Sequence, residues 1–214
     1  MTLKHRYNRL VKRIWNPRIY DYTYNLRKAF INTSRLELQQ SGNFDIIKFS
    51  YLPEYKKFII NEILNQIYSV KRLQLEDLAL KCSIVSKELQ EFLKIQFDIN
   101  SVVTIGNVYL NKLRYYHEPL STLKERLTKN DFEKPFNAHV WLTLENGDII
   151  DLTIGPSMWL EHKISGSEPD RNNFEKVYWI STQKFDKKLF VYKPLLIGYD
   201  YFEKINLPVK LIRI

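Results

Sequence analysis

The chain changes texture near Asn100, and that change constrains the fold more than any other feature. Before it, apolar residues recur three or four positions apart and glycine is nearly absent; after it, β-branched and aromatic runs take over. Ile60, Ile63, Leu64 and Ile67 make a helical stripe behind Pro53, a residue suited to a helix start. Cys82, Val85, Leu89, Phe92 and Leu93 make a second stripe, and that helix should end near Phe97. Residues 102–105, 108–110, 140–144, 149–153, 177–180, 189–192 and 209–212 read as strands. Pro119 followed by Leu120, Leu123 and Leu127 predicts one short helix among them. Helices and then strands, with few βαβ alternations, predict an α+β fold whose sheet is mostly antiparallel.

With 214 residues, 44% apolar and 14% aromatic, the chain can bury enough surface for one domain. The expected division is a basic helical N-terminal extension over residues 1–50 and a core over 51–214. Residues 1–30 hold eight basic side chains (Lys4, Arg6, Arg9, Lys12, Arg13, Arg18, Arg27, Lys28) against one acid, Asp21, although the whole chain carries only +9. Such a block, interleaved with Tyr7, Trp15, Tyr20, Tyr22 and Tyr24, could attract nucleic acid or another acidic partner. The favoured reading is plainer. Leu3, Tyr7, Leu10, Val11 and Ile14 line one face of an amphipathic helix, and the charges are its solvated side.

The single cysteine excludes an intramolecular disulfide framework and fits a reducing compartment. No run approaches the roughly 18 apolar residues of a membrane helix. The start lacks the apolar region of a secretory signal, so a cytoplasmic location without a transmembrane segment is expected. His5, His117 and His162 have no metal-binding spacing, and six glycines offer no phosphate-cradling loop. No metal or cofactor is expected.

The most informative stretch runs from Phe136 to Thr153, where two strand-like runs flank Asn146-Gly147. If the loop is Asn146-Gly147 alone, Glu145 opposes Asp148 and Asp151 falls on the face opposite His139. If the loop is Glu145-Asn146-Gly147, with Gly147 left-handed, Leu144 opposes Asp148 and His139 opposes Thr153. Asp151 then shares the face of His139, with Cα atoms roughly 5.5–8 Å apart and within reach of a hydrogen bond. The second register is the expectation.

A carboxylate on one imidazole nitrogen fixes the tautomer and leaves the other nitrogen to take a proton from a nucleophile. Cys82, the one thiol, opens an amphipathic helix whose dipole and unpaired N–H groups favour a thiolate. Taken alone, Cys82 reads as a small buried hydrophobe, His139 as a sheet histidine and Asp151 as a turn cap. The order of cysteine, helix, strands, histidine, hairpin and aspartate favours chemistry.

These residues also carry a resemblance. His139-Val140-Trp141 and Asn146-Gly147-Asp148-Ile149-Ile150-Asp151-Leu152-Thr153, behind a cysteine at a helix head, resemble the transglutaminase-like branch of the papain-like cysteine enzymes, specifically its small bacterial members. The resemblance covers residues 80–155, and Lys81-Cys82-Ser83 lacks the aromatic and glycine neighbours of many relatives. It implies a papain-like or transglutaminase-like fold and a Cys82-His139-Asp151 triad. It further implies acyl transfer or hydrolysis of a protein, peptide or small amide or ester substrate through a thioester. The rival expectation, from another class, is a non-catalytic binding module acting through the basic segment.

In papain-like enzymes a glutamine before the cysteine donates to the oxyanion, and Gln74 is the nearest upstream candidate; the Cys82 N–H is another donor. Trp141 shares the face of His139 and could shield the pair, line the cleft or pack in the core. Tyr115 and Tyr116 fall in an expected loop before Pro119, where they could bound a substrate groove or cover the core. Residues 165–173 are polar and aperiodic, and read as a flap or a long connection.

Overall fold

The computed structural model describes residues 21–38, 44–111, 113–129, 135–182 and 190–205. The amphipathic pattern over residues 3–14, most of the basic block and the strand expected at 209–212 lie outside the described residues.

The first half is helical, as its periodicity predicts. α1 (Tyr22–Arg35) starts where the Asp21 carboxylate accepts the Tyr24 N–H at 3.0 Å. α2 (Pro53–Leu64) carries proline in its first turn and runs on into a π-helical turn over Asn65–Val70. Its buried stripe is Ile59, Ile63 and Ile67, so the helix is rotated from the face expected at Ile60 and Leu64. α3 (Leu75–Leu78) precedes α4 (Cys82–Phe97), which ends at Asp98 in the left-handed conformation, φ 54°.

β1 (Ser101–Leu110) is one strand, where two short ones were expected. It runs unbroken through Gly106 because that residue has no side chain. A Cβ there would lie 2.2 Å from the Lys193 carbonyl oxygen and 2.7 Å from the Trp141 ring. β2 (Leu113–Tyr116), α5 (Leu120–Lys129), β3 (His139–Leu144), β4 (Ile149–Asp151), α6 (Ile154–Ile164), β5 (Tyr178–Ile180), β6 (Phe190–Ile197) and α7 (Asp200–Lys204) follow. The Tyr115-Tyr116 segment is therefore a strand, correcting the loop expected there. Residues 165–173 form part of the connection from α6 to β5 and include a 3-10 turn at Arg171–Asn173.

Every strand pairing among the described residues is antiparallel, and the fold is α+β. β3 and then β2 occupy one edge of β1, and β6 occupies the other. The sheet separates two apolar clusters. One joins Val103, Ile105, Val140 and Leu142 to α2 and α4; the other joins Val102, Val108, Trp141 and Tyr192 to Tyr22, Leu26 and Ala29 of α1. α1 is also tied to β6 by Asn32 donating to the Leu195 carbonyl and by the Ile197 N–H donating to Thr33 Oγ1. This helix thus belongs to the core, although it falls within the expected extension over 1–50. Burying Leu26 and Ala29 contributes in proportion to the apolar area removed from water, which the basic side chains on the opposite face do not oppose.

Candidate active site

The hairpin adopts the register with the three-residue loop. Leu142 pairs with Ile150 and Thr143 with Ile149, the Leu144 N–H donates to the Asp148 carbonyl at 2.8 Å, and Gly147 takes φ 82°. A left-handed residue in the loop favours glycine, and this fixes which side chains share a face. His139 and Asp151 consequently meet: Nε2 of the imidazole lies 2.6 Å from Asp151 Oδ2, with both residues buried.

Asp151 is more completely held than the hairpin alone would arrange. Its Oδ1 accepts the Thr153 N–H at 2.9 Å, the Thr153 hydroxyl at 3.1 Å and the Ile154 N–H at 3.1 Å, so the carboxylate caps α6. The Tyr192 hydroxyl donates to Oδ2 at 2.9 Å. Burial opposes ionisation, but the imidazole and these donors outweigh it and hold the carboxyl below its ordinary range. For His139, burial disfavours the charged ring, yet the Asp151 carboxylate and a hydrogen bond with Cys82 prevail and raise its proton affinity.

With Nε2 bonded to Asp151, Nδ1 is the nitrogen left for the thiol. Cys82 is the first residue of α4, half-buried at the rim of the larger cluster, and it engages His139. The structure therefore joins His139 to Asp151 and places Cys82 close enough to the imidazole to act on its charge. In this arrangement a carboxylate can orient an imidazole and an imidazole can accept a thiol proton, at the N-terminus of α4.

The other expected residues have different fates. Tyr116 pairs with Val108, and His139 pairs with Gly106, two residues away on the same edge of β1. The phenol ring accordingly lies on the imidazole, with centroids 4.8 Å apart and planes 12° apart. Trp141 flanks the imidazole at 6.4 Å, is fully buried and donates from Nε1 to the Tyr22 hydroxyl at 2.8 Å. It packs and shields; it does not line an open cleft. Tyr115 donates to Glu161 of α6 at 2.7 Å. Gln74 is exposed, where its amide nitrogen donates to the Arg72 carbonyl and its oxygen accepts from Arg171, so the side chain is engaged away from the thiol.

Tyr192 and Ser157 were not found from the sequence. Tyr192 lies in a segment whose pattern shows only a strand and Ser157 in one with no readable pattern, and neither stands at a recognisable spacing from Cys82 or His139. Two clefts of about 630 and 850 Å³ lie beside α1 and between α2 and α4, and neither is lined by Cys82, His139 or Asp151. Those two clefts lie away from the three residues, of which Cys82 is the most exposed. Among the described residues no three His, Cys, Asp or Glu side chains group as metal ligands, and no helix is long and apolar enough to cross a membrane. Compared with known proteins, the chain matches no family model, no curated protein and no solved structure.

Proposed function

We propose that this protein is a cysteine-dependent acyl-transfer or hydrolytic enzyme of papain-like or transglutaminase-like architecture. The observation that carries the reading is the buried His139–Asp151 bond at 2.6 Å beside a thiol at the head of α4. A thiol engaged by an imidazole that a buried carboxylate orients is the arrangement nucleophilic catalysis requires. Cys82 is the nucleophile, His139 the general base and acid, and Asp151 the residue that orients the imidazole.

His139 Nδ1 takes the thiol proton, and the sulfur attacks the carbonyl carbon of an amide or ester. The carbonyl oxygen gathers negative charge facing the N–H groups that open α4. The bond to nitrogen or oxygen then breaks, the proton passes from His139 to the leaving group, and a thioester remains on Cys82. Water, or an amine acceptor, loses a proton to the same imidazole, attacks the thioester and restores the thiol.

A minimal test uses p-nitrophenyl acetate. Wild type should release a burst of nitrophenolate and gain one acetyl group on Cys82, read by mass spectrometry, whereas Cys82→Ala should show neither. Release at the same rate from both proteins, without acylation of the thiol, would remove the proposal.

A further inference from the structure

The first turn of α6 holds Asp151 directly and meets a neighbour of each of the other two members of the proposed triad, Leu80 before Cys82 and Tyr116 on His139. At its head, Asp151 accepts the N–H groups of Thr153 and Ile154. One turn later stands Ser157, 1% exposed, whose own N–H donates to the Thr153 carbonyl at 2.9 Å. The Ser157 hydroxyl accepts the N–H of Leu80 at 3.1 Å and lies close to the Tyr116 phenol, the ring stacked on His139.

Leu80 is the unusual partner. It stands two residues before Cys82 with φ 59°, a left-handed conformation that leucine rarely takes. Its side chain is 62% exposed, so packing does not hold the turn. The neighbouring tie, from the Lys81 N–H to the Leu78 carbonyl, is longer at 3.3 Å. A buried hydroxyl reaching 77 residues along the chain to one strained amide is a specific device, and what it holds is the turn that presents the thiol.

We infer that Ser157 is a positioning residue: by capturing the Leu80 amide it fixes the turn that sets Cys82 against His139. The inference rests on the roles assigned above to Cys82 and His139. Without the hydroxyl, the turn relaxes from its left-handed state and the sulfur loses its place beside the imidazole, while the His139–Asp151 bond persists.

The test measures how strongly alkylation of Cys82 by iodoacetamide at pH 6 depends on the imidazole, as the ratio of rates with His139 present and with His139→Ala. In the wild-type background this ratio should be at least about tenfold. In Ser157→Ala it should fall to within about threefold of unity, since loss of one hydrogen bond suffices to unseat a marginal turn. Adding Leu80→Gly to Ser157→Ala should restore much of the ratio, because glycine enters the left-handed region without the Cβ penalty; a merely structural role for Ser157 would show no such rescue. A measurement on the unaltered protein needs no variant: the Leu80 amide should exchange its hydrogen slowly although the residue is exposed.

A wild-type ratio near one would overturn the triad and this inference together. A large wild-type ratio left unchanged by Ser157→Ala would overturn the role of Ser157 alone, as would Leu80 amide exchange at the rate of an unprotected peptide.

Discussion

The β3–β4 hairpin buries an aspartate at each end of its short second strand, and the two carboxylates do different work. Asp148, beside the turn, accepts from Lys56 Nζ at 2.6 Å and from the Trp179 indole at 2.9 Å. Asp151, at the far end, meets an imidazole, a phenol, a hydroxyl and two backbone N–H groups. The ammonium and the indole N–H both donate to Asp148, so this cluster locks α2 and β5 to the hairpin. The principal partner of Asp151 is an imidazole, whose second nitrogen is left for the thiol in the proposed mechanism. The same residue type in one hairpin is structural or chemical according to whether its partner has a further atom free for chemistry.

Exchanging both carboxylates for amides breaks this comparison most directly. Asp151→Asn should lower the acylation rate of Cys82 by about 10²- to 10⁴-fold, because a neutral amide lacks the charge that stabilises the imidazolium and can turn its NH2 group towards the ring. Asp148→Asn should leave acylation nearly unchanged yet cost about 1–3 kcal/mol of stability, measured by urea unfolding, because buried groups lose a charged partner. Equal loss of activity in the two variants would erase the distinction.

The pH dependence of stability sharpens it. The proton affinity of His139 is raised in the folded state, where Asp151 overcomes burial. Its stabilising contribution is therefore full below the ordinary imidazole value of 6.5 and is lost progressively as pH rises above it. Asp151 is shifted the other way, so its contribution is present above the ordinary value of 3.8 and fades on strong acidification. The stability gap between wild type and His139→Ala, from urea midpoints, should accordingly be wider at pH 6 than at pH 9. A gap that is flat or grows with pH would contradict the coupling.

The smallest effect expected is that of Tyr192→Phe. It removes one of five donors to Asp151 while keeping the ring in its cluster, and should cost about 1 kcal/mol, or a few-fold in acylation rate. An effect as large as that of Asp151→Asn would mean that the phenol, rather than the carboxylate, governs the imidazole.

Much of this was readable from local pattern. The spacing from Cys82 to Leu93 announced α4 and its end at Phe97, and Asn146-Gly147 announced the hairpin. Two elements flanking the site were not. α6 opens with Ile154-Gly155-Pro156, residues that resemble helix breakers, but proline is tolerated in a first turn. Gly155 is required there because a Cβ would lie 2.6 Å from the Phe174 carbonyl oxygen. β2 is four residues long and meets β1 through a register shift between Val108 and Tyr109, so its alternation is too brief to read.

Residue order alone determined the type of most elements, the β3–β4 hairpin and the lone thiol at a helix head, because periodicity and turn chemistry act over a few neighbouring residues. Only tertiary packing decided that Tyr116 would stack on the imidazole, that Tyr192 would reach Asp151 and that Ser157 would hold Leu80. Those contacts join residues 23, 41 and 77 positions apart, as counted along the numbered chain. They arise because sheet register and helix placement bring distant side chains together, and no local preference encodes such a meeting.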